Sequence, residues 1–405
     1  MKNKLLWISL LAPYDNVSHA GGKVHNYQLK SLNKLEQFDI YLVSFCYKEE
    51  KEKIDLQQYN INHKIFIHTH DISTNFKWHN RMEMLVGKGS CLCQLDYIRR
   101  QELLKQLKEY KKSGYNPSVI ILQWTEVVML IKEIKKIFPQ SKLIAIEEDV
   151  SYLTRKRIVH SHKGIRKVYR YFNYKIIQKK ELKALKNADL IVLNNPKDRD
   201  LILGDGIHNK TMVVTPYFNN MKDIERKDIR QDVLFYGAMG RYVNDISARW
   251  FLNNVFNKLV REFPNIRFVI VGANPTKQLL EYQGDNVIIT GFVDSPEEYF
   301  KHCMCLVAPL QLGAGIKIKI LEGMSSGIPV LTNDIGIEGI PAKKNVEYYH
   351  CEEPQQYIDC IKKLINNPEQ AENVGKNGKR FINKNYNLEA SVLKLGKIIT
   401  EMMEV

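Results

Sequence analysis

Short runs rich in Ile, Val, Leu and Phe recur along the whole chain and alternate with amphipathic stretches of helical length. The runs show little alternation of apolar and polar residues, which is typical of strands buried on both faces. Repeated strand-helix-strand units predict parallel sheets that are covered by helices on both sides. We predict seven strands in the first half and six in the second, at residues 5–11, 40–45, 64–68, 119–122, 143–147, 190–193, 212–214, 233–236, 267–271, 287–289, 305–308, 329–332 and 347–350.

The chain of 405 residues is long enough for two domains of ordinary size, each with its own sheet. The boundary is expected after Pro216, where the sequence turns polar and charged. The predicted organisation is therefore a domain at 1–215, a linker at 216–230, a second domain at 231–385 and a terminal segment at 386–405.

The formal net charge of +15 is concentrated in one segment. Residues 151–190 hold twelve lysines and arginines against two acidic residues, which leaves a net charge of +10. Such a balance indicates an anionic partner: nucleic acid, a membrane surface or a phosphorylated substrate. The cations cluster on one predicted helix without a recognisable nucleic-acid-reading motif, so no nucleic-acid partner is expected.

The same segment carries an apolar stripe of Ile165, Val168, Tyr169, Phe172 and Ile176, at three- and four-residue spacing. Three interpretations stay open. The helix packs on the sheet with a solvated basic face, it lies on an anionic membrane surface, or it contacts a charged polymer or another anion. No apolar run approaches the length of a membrane helix, so any membrane attachment would be peripheral.

The seven cysteines form no evident disulfide framework, because their number is odd and the chain is long. Where two of them stand close together, only one residue separates the thiols, and zinc pairs need at least two. We therefore expect reduced cysteines, a cytoplasmic protein and no metal site.

Ligands of open parallel sheets bind beyond the carboxyl ends of the strands, where glycine turns let the backbone approach phosphates. The first such turn contains Gly21 and Gly22, which follow the first strand and begin a helix. These two glycines suit the close approach of a ligand, and a plain turn explains them equally well.

The second turn, Gly313-Ala314-Gly315, follows a predicted strand and precedes a helix expected to start near Ile316. Lys317 and Lys319 would lie in its first turn, where the helix dipole disfavours cations. Two cations there indicate a bound anion such as a diphosphate. Glu322 follows, and a carboxylate can accept hydrogen bonds from both hydroxyls of a ribose. The alternative is a surface helix with ordinary solvated charges.

These residues resemble the C-terminal signature of the family-4 glycosyltransferases, which are retaining enzymes of the GT-B fold. The resemblance covers most of the chain and is strongest across Asp232–Pro341. It is carried by the segments Val233–Gly237, Ile270–Gly272, Thr290–Val293, Gly313–Met324, Gly327–Val330 and Gly336–Gly339, and by Ala20–His25 in the first half.

The resemblance implies an α/β fold of two Rossmann-like, doubly wound domains that face a central cleft. The N-terminal domain would bind the acceptor and the C-terminal domain the nucleotide-sugar. The helix at 386–405 would pack back on the N-terminal domain, as in related folds.

The resemblance also assigns roles to single residues. Glu322 would bind the ribose hydroxyls, and backbone N–H groups and ammonium charges of the helix start would hold the diphosphate. The nucleotide-sugar site would consist of Gly21, Gly22, Gly237, Gly291, Phe292, Val293, Gly313, Ala314, Gly315, Ile316 and Glu322, and the catalytic residues would be Lys319, Lys317, Arg241 and Glu148.

Three positions depart from the family pattern. The first carboxylate of the usual Glu-x7-Glu pair is replaced by Ala314, and the arginine usual after the first-strand glycine is Ala238, for which Arg241 is expected to substitute. The histidine usual after the fifth strand is replaced by Glu147-Glu148-Asp149, which makes a sugar contact by Glu148 or Asp149 a hypothesis.

The predicted function is a retaining, metal-independent glycosyltransferase of the hexosyltransferase type, without a cofactor. It would move sugar from a UDP- or GDP-linked donor to a hydroxyl of a glycan, polymer or lipid-linked acceptor in cell-envelope or capsular polysaccharide synthesis. It would act in the cytoplasm, at the inner face of the membrane if the basic segment docks there. The alternatives are a sugar-nucleotide epimerase of the same fold and a non-catalytic sugar-nucleotide-binding partner protein.

Overall fold

The computed structural model describes residues 3–17, 19–68, 95–160, 163–313 and 315–404. The chain forms two compact units. The first unit contains the chain up to Val17, Gly21–Pro216 and the chain from Leu388 onward. The second contains Tyr217–Asn387 together with the few residues between Val17 and Gly21.

The first unit is built on a sheet of seven strands in the order β3-β2-β1-β4-β5-β6-β7. Every neighbouring pair is parallel. The strands are β1 (Asn3–Ser9), β2 (Phe38–Tyr47), β3 (Asn62–His68), β4 (Val119–Gln123), β5 (Lys142–Glu147), β6 (Leu190–Leu193) and β7 (Thr211–Val213).

The second unit is built on a sheet of six strands in the order β10-β9-β8-β11-β12-β13, again with only parallel neighbours. The strands are β8 (Arg230–Tyr236), β9 (Arg267–Val271), β10 (Val287–Gly291), β11 (Cys303–Ala308), β12 (Val330–Thr332) and β13 (Tyr349–His350). All thirteen predicted strands are present, and the prediction of two parallel α/β domains is confirmed.

Helices connect the strands of both sheets. The first unit contains α1 (Ala20–Lys34), α2 (Tyr97–Lys112), α3 (Thr125–Val128), α4 (Ile131–Ile137), α5 (Ser151–His160), α6 (Gly164–Leu185), α7 (Pro196–Gly204) and α15 (Leu388–Met403), with 3-10 turns at Lys48–Lys53 and Leu56–Tyr59. The second contains α8 (Tyr242–Phe251), α9 (Asn257–Glu262), α10 (Lys277–Leu280), α11 (Glu297–His302), α12 (Ile318–Ser326), α13 (Pro354–Asn366) and α14 (Pro368–Asn385), with a π-helical turn at Leu252–Phe256.

The first sheet is buried on both faces, which explains its continuous apolar runs. In β1, Leu6 and Ile8 belong to the hydrophobic core on one face of the sheet. Leu5 and Trp7 belong to the core on the other face. Because successive side chains of a strand point to opposite faces, each position of such a strand is apolar and no alternation appears in the sequence.

The predicted linker at 216–230 is wrong for most of its length, because residues 217–229 pack within the second unit. Phe218 and Met221 are buried. The Arg226 guanidinium donates to the carbonyl oxygens of Gly327 at 3.0 Å and Cys303 at 2.7 Å. Although the segment is polar in composition, it contains two buried apolar residues and a partly buried arginine.

Helix α15 supplies part of the core of the first unit. Val392, Leu395 and Ile399 are buried in the same cluster as Leu29 and Leu32 of α1. Across the described parts of the chain, none of the helices combines the length and the apolar composition needed to cross a bilayer.

Candidate active site

The loops after β8 and β9 approach each other closely at the carboxyl edge of the second sheet. Gly237 follows β8 with φ 147°, and Gly272 follows β9 with φ 151°. A Cβ atom on Gly272 would lie 1.8 Å from the carbonyl oxygen of Gly237. Only glycine fits this position, so the two loops form a tight backbone surface where ligands of such sheets bind.

Helix α12 begins two residues later than predicted, at Ile318, and Lys317 occupies its N-cap position. Gly313 (φ 142°) and Gly315 (φ 67°) keep the chain in a turn before the helix. Lys317 is therefore extended and precedes the helix, whereas Lys319 does lie in the first turn. Ala314 lies outside the described residues, and Ile316 stands between Gly315 and Lys317 with a partly buried side chain.

Lys319 reaches from α12 to the loop after β8. Its Nζ donates to Oδ1 of Asn244 at 2.8 Å and lies 4.5 Å from the centroid of the Phe235 ring. A Cβ atom on Gly237 would lie 2.9 Å from the same Nζ. The structure thus brings together Lys319 and Gly237, which are separated by 82 residues in the sequence.

Two cationic residues influence Lys319. Burial, together with the charges of Arg241 and Lys317, lowers the pKa of Lys319 to about 7, while the charge of Glu322 opposes this shift. These neighbouring positive charges favour a bound anion, because its negative charge would offset their mutual repulsion. This agrees with a cradle for a diphosphate.

Lys317 has a buried acidic neighbour. Its Nζ donates to the carbonyl oxygen of Gly315 and lies 3.8 Å from Oε2 of Glu338, whose side chain has no exposed surface. Glu338 therefore holds the Lys317 ammonium beside the glycine turn. In the sequence Glu338 was only part of a family landmark and was not predicted as a site residue.

Glu322 lies in α12 and is 2% exposed. Its Oε1 accepts a hydrogen bond from the backbone N–H of Asn219 at 3.2 Å. Burial, together with the charge of Glu322, raises the pKa of Tyr236 well above its usual range. The carboxylate is fixed near the carboxyl end of β8, and its predicted contact with a ribose remains a prediction.

Arg241 and Phe292 stand at the exposed part of the same edge. Arg241 directly precedes α8 and is exposed. Phe292 follows β10 and is 66% exposed, and Val293 beside it is partly buried. The carbonyl oxygen of Gly291 accepts a hydrogen bond from the N–H of Gly272 at 3.0 Å, which fixes the start of this loop.

The first unit has a second candidate edge, where Gly21 and Gly22 begin α1 after β1. A Cβ atom on Gly21 would lie 3.5 Å from the indole Nε1 of Trp124. Trp124 follows β4 with φ 72°, a conformation that costs about 1 kcal/mol or more for a bulky residue. Gly21 thus faces the indole ring of a residue whose backbone has an unfavourable conformation.

Glu148 follows β5 at this edge and is held by two amide side chains. Gln123 Nε2 donates to its Oε1 at 2.6 Å, and Asn194 Nδ2 donates to its Oε2 at 2.9 Å. Burial is the largest cause that raises the pKa of Glu148 to about 7, and the two hydrogen bonds only partly oppose it. At neutral pH a large share of Glu148 is therefore uncharged.

Glu126 and Glu147 add further carboxyl groups to this edge. Burial raises the pKa of Glu126 to about 7 and the pKa of Glu147 well above its usual range. Thr125 Oγ1 donates to Glu147 Oε2. The edge is rich in carboxyl groups that accept or, when protonated, donate hydrogen bonds, which suits hydroxyl ligands.

The partners of the predicted residues escaped prediction. Asn244 contacts Lys319, Glu338 lies beside Lys317, and Gln123 and Asn194 hold Glu148. Gln123 ends β4 and Asn194 directly follows β6, and that position is the signal that could have identified these two. Asn244 lies in α8 and Glu338 follows β12 by six residues, so strand ends alone do not identify them.

One group of side chains has the composition of a metal site. Ligand atoms of Asp334, His350 and Glu352 lie within 4.8 Å of one another. The Lys344 ammonium lies 3.2 Å from Asp334 Oδ1 and 3.3 Å from His350 Nε2, so a lysine already supplies the positive charge there. This arrangement gives no reason to assign a metal ion.

Comparisons with known proteins show which families and sequences this chain resembles. Residues 230–367 match the family described as Glycosyl transferases group 1. An uncharacterised glycosyltransferase of Methanocaldococcus jannaschii is 23% identical over 259 residues, which cover 58% of this chain and 59% of that relative. An uncharacterised protein of the cps region of Klebsiella pneumoniae is 21% identical over 301 residues, 71% of this chain and 75% of that protein.

Solved structures share the fold over the whole chain. The HepE protein of Anabaena, solved in complex with UDP, has a TM-score of 0.66 at 13% identity and covers 99% of this chain and 100% of its own. Sucrose-phosphate synthase of Thermosynechococcus elongatus has a TM-score of 0.69 at 13% identity and covers 100% of both chains. Residues 230–367 thus resemble the glycosyl transferases of group 1, and both parallel sheets share the GT-B architecture of these solved structures, which supports the predicted resemblance to the family-4 type.

Proposed function

We propose that the protein transfers a sugar from a nucleoside-diphosphate donor to an acceptor hydroxyl with retention of anomeric configuration. One observation carries the proposal: Lys319 and Lys317 converge at the start of α12, beside exposed Arg241 and buried Glu322. This combination of clustered cations and one fixed carboxylate fits the diphosphate and the ribose of a nucleotide.

The proposed chemistry follows from the charges. When the bond between the anomeric carbon and the diphosphate oxygen breaks, negative charge builds on the leaving diphosphate. Lys319, Lys317, Arg241 and the N-terminus of α12 would stabilise that charge, so the reaction needs no metal ion or cofactor. The acceptor oxygen bonds to the anomeric carbon on the face that the diphosphate leaves, and a diphosphate oxygen takes the acceptor's proton.

The donor contacts are proposed residue by residue. Glu322 binds the ribose, the turn from Gly313 to Ile316 and Gly237 meet the diphosphate, and Gly291–Val293 border the base. The family resemblance assigns Gly21 and Gly22 to the donor phosphate. A sugar contact by Glu148 or Asp149 is a separate hypothesis, because these residues stand where the family usually has a histidine. HepE has been solved with UDP and with UDP-glucose, which makes a UDP-linked hexose the first donor to test, with GDP-linked donors second.

The acceptor is proposed to be a glycan, a polymer or a lipid-linked molecule of cell-envelope or capsular polysaccharide synthesis. The relative from a cps region in Klebsiella pneumoniae supports this setting. We place the reaction in the cytoplasm, at the inner face of the membrane, with residues 151–190 as the membrane contact.

A nucleotide-binding measurement tests the donor site directly. UDP or GDP at about 100 times its dissociation constant should stabilise the folded protein by about 2.7 kcal/mol, which appears as a raised melting temperature. Glu322→Gln should lose most of this shift, whereas the exposed control Glu281→Gln should keep it. No shift with either nucleotide in the wild type would overturn the proposal.

Product analysis separates transfer from the two alternatives. With a bound donor and an acceptor glycan, a glycosyltransferase forms a new glycoside, whereas an epimerase changes the donor without any acceptor. A protein that binds nucleotide but changes no donor in a full panel is a non-catalytic partner protein.

A further inference from the structure

Helix α6 carries two apolar faces on nearly opposite sides. Its buried apolar side chains are Tyr174, Ile177, Ala184 and Leu185. At about 100° per residue, the stripe from Ile165 to Ile176 lies roughly 150° around the helix axis from them. Packing of α6 within the first unit therefore uses one face, and it leaves the stripe uncovered.

The exposure of the stripe confirms this geometry. Ile165 is 85% exposed, Phe172 61%, Tyr169 58% and Val168 53%. Six of the fifteen exposed large hydrophobic side chains among the described residues lie between 165 and 176. Such a concentration of exposed apolar surface marks an interaction site. The interpretation that the stripe packs on the sheet is therefore wrong.

The charge around the stripe selects the partner. Residues 151–180 contain ten lysines and arginines and no acidic residue. Lys163, Arg166 and Lys167 are exposed beside the first turns of the stripe, and Lys179 and Lys183 continue its line toward the C-terminal end of the helix. A symmetric dimer through this face would set these cations against their own copies, which disfavours a second chain as the partner.

We propose that the stripe and its cations, the α6 face, dock on an anionic phospholipid bilayer. The helix would lie in the plane of the interface, with Ile165 and Phe172 in the acyl boundary and the ammonium groups at lipid phosphates. Tyr169 and Tyr171 fit the head-group level, where tyrosine is enriched. The proposal names the membrane partner of the proposed function, and lipid binding itself requires no nucleotide.

Vesicle co-sedimentation of the full chain tests the apolar part of the α6 face. The wild type should bind vesicles that contain a third phosphatidylglycerol and should not bind pure phosphatidylcholine vesicles. Ile165→Ser with Phe172→Ser should reduce binding to the anionic vesicles roughly tenfold or more. The control Ile98→Ser with Leu393→Ser replaces two exposed apolar side chains on other helices and should bind like the wild type.

A charge pair of variants tests the electrostatic part. Arg166→Glu with Lys167→Glu should reduce binding to the same vesicles by a similar factor, because each cation near an anionic surface contributes on the order of fivefold. Lys105→Glu with Lys108→Glu, exposed on α2, makes the same charge change and should leave binding nearly unchanged.

Three results would overturn the proposal. They are no wild-type binding to anionic vesicles, equal losses in the test and control variants, and a wild-type dimer that the Ile165 and Phe172 substitutions dissociate. Binding to a soluble polyanion such as heparin without vesicle binding would assign the face to a charged polymer. Melting-temperature shifts with UDP, measured on the same variants, report separately whether the donor site holds.

Discussion

The carboxyl edges of the two sheets have the same architecture and opposite chemistry. In the second unit, burial and the charges of Arg241 and Lys317 lower the pKa of Lys319. In the first unit, Glu147 and Glu148 follow one strand, and burial raises the pKa of both. At both edges, keeping these groups charged costs free energy in the protein without a ligand.

The difference teaches what each edge is built to receive. An anion bound at the cationic edge would offset the repulsion between its cations, which supports the proposed diphosphate ligand. At the carboxyl edge, protonation of the carboxylates removes the unfavourable charge. A ligand there therefore needs no charge of its own and can be a hydroxyl group. This division matches a phosphate-bearing donor and a hydroxyl-bearing substrate.

The largest expected effect is at the cationic edge. Lys319→Met should weaken UDP binding roughly a hundredfold, because a partly buried charge that meets a phosphate is lost. Its melting temperature without ligand should not fall, since methionine carries no charge to desolvate. In isothermal titration calorimetry, the control variant Lys258→Met, which changes an exposed lysine, should bind UDP with wild-type affinity. Binding of UDP by Lys319→Met within threefold of the wild type would break the comparison.

The pH dependence of binding sharpens the same contrast. The pKa of Lys319 is about 7 without ligand, and a bound diphosphate raises it. Affinity for UDP should therefore fall as pH rises from 7 to 9, by up to about tenfold per pH unit. Lys319→Arg keeps its charge throughout and should show a much flatter profile. Equal slopes in the two proteins would show that another group controls the affinity.

The smallest expected effect is at the carboxyl edge. The folded state raises the pKa of Glu148 to about 7, so it binds more protons than the unfolded state between about pH 4.5 and 7. Stability from this group is present at low pH and is lost as pH rises through that window. Relative to the wild type, Glu148→Gln should gain about 1 to 2 kcal/mol between pH 5 and pH 8.

Urea unfolding at the two pH values measures this gain. Glu133→Gln removes an exposed carboxylate from α4 and should show no such difference. A Glu148→Gln variant that tracks the wild type at both pH values would mean that Glu148 is charged throughout, and the contrast between the edges would fail.

The strands were predictable because burial on both faces leaves an unmistakable apolar run. The start of α12 was not, because the conformations of Gly313 and Gly315 decide where the helix begins. Phe218 and Met221 were missed because the residues that follow them are polar and dominate the composition of the segment. The stripe on α6 was predictable, but the choice between packing and exposure depends on which face meets the rest of the unit.

The site was predictable where chemistry and sequence spacing coincide. Lys317, Lys319 and Glu322 lie within six residues at the beginning of α12, so their closeness in sequence already places them near one another. Asn244 and Glu338 reach them from other loops, and the contact between Asn244 and Lys319 spans 75 residues. Such contacts are decided by the sheet order, which a single sequence does not contain.

Helix α15 has a consequence for the order in which the two units can complete their cores during translation. The second unit is continuous from Tyr217 to Asn387, whereas the first unit takes α15 from the residues that follow it. When a ribosome has added Asn387, the later unit has all of its main segment, and the earlier unit still lacks Val392, Leu395 and Ile399. The half that is translated first is therefore the half whose core is finished last.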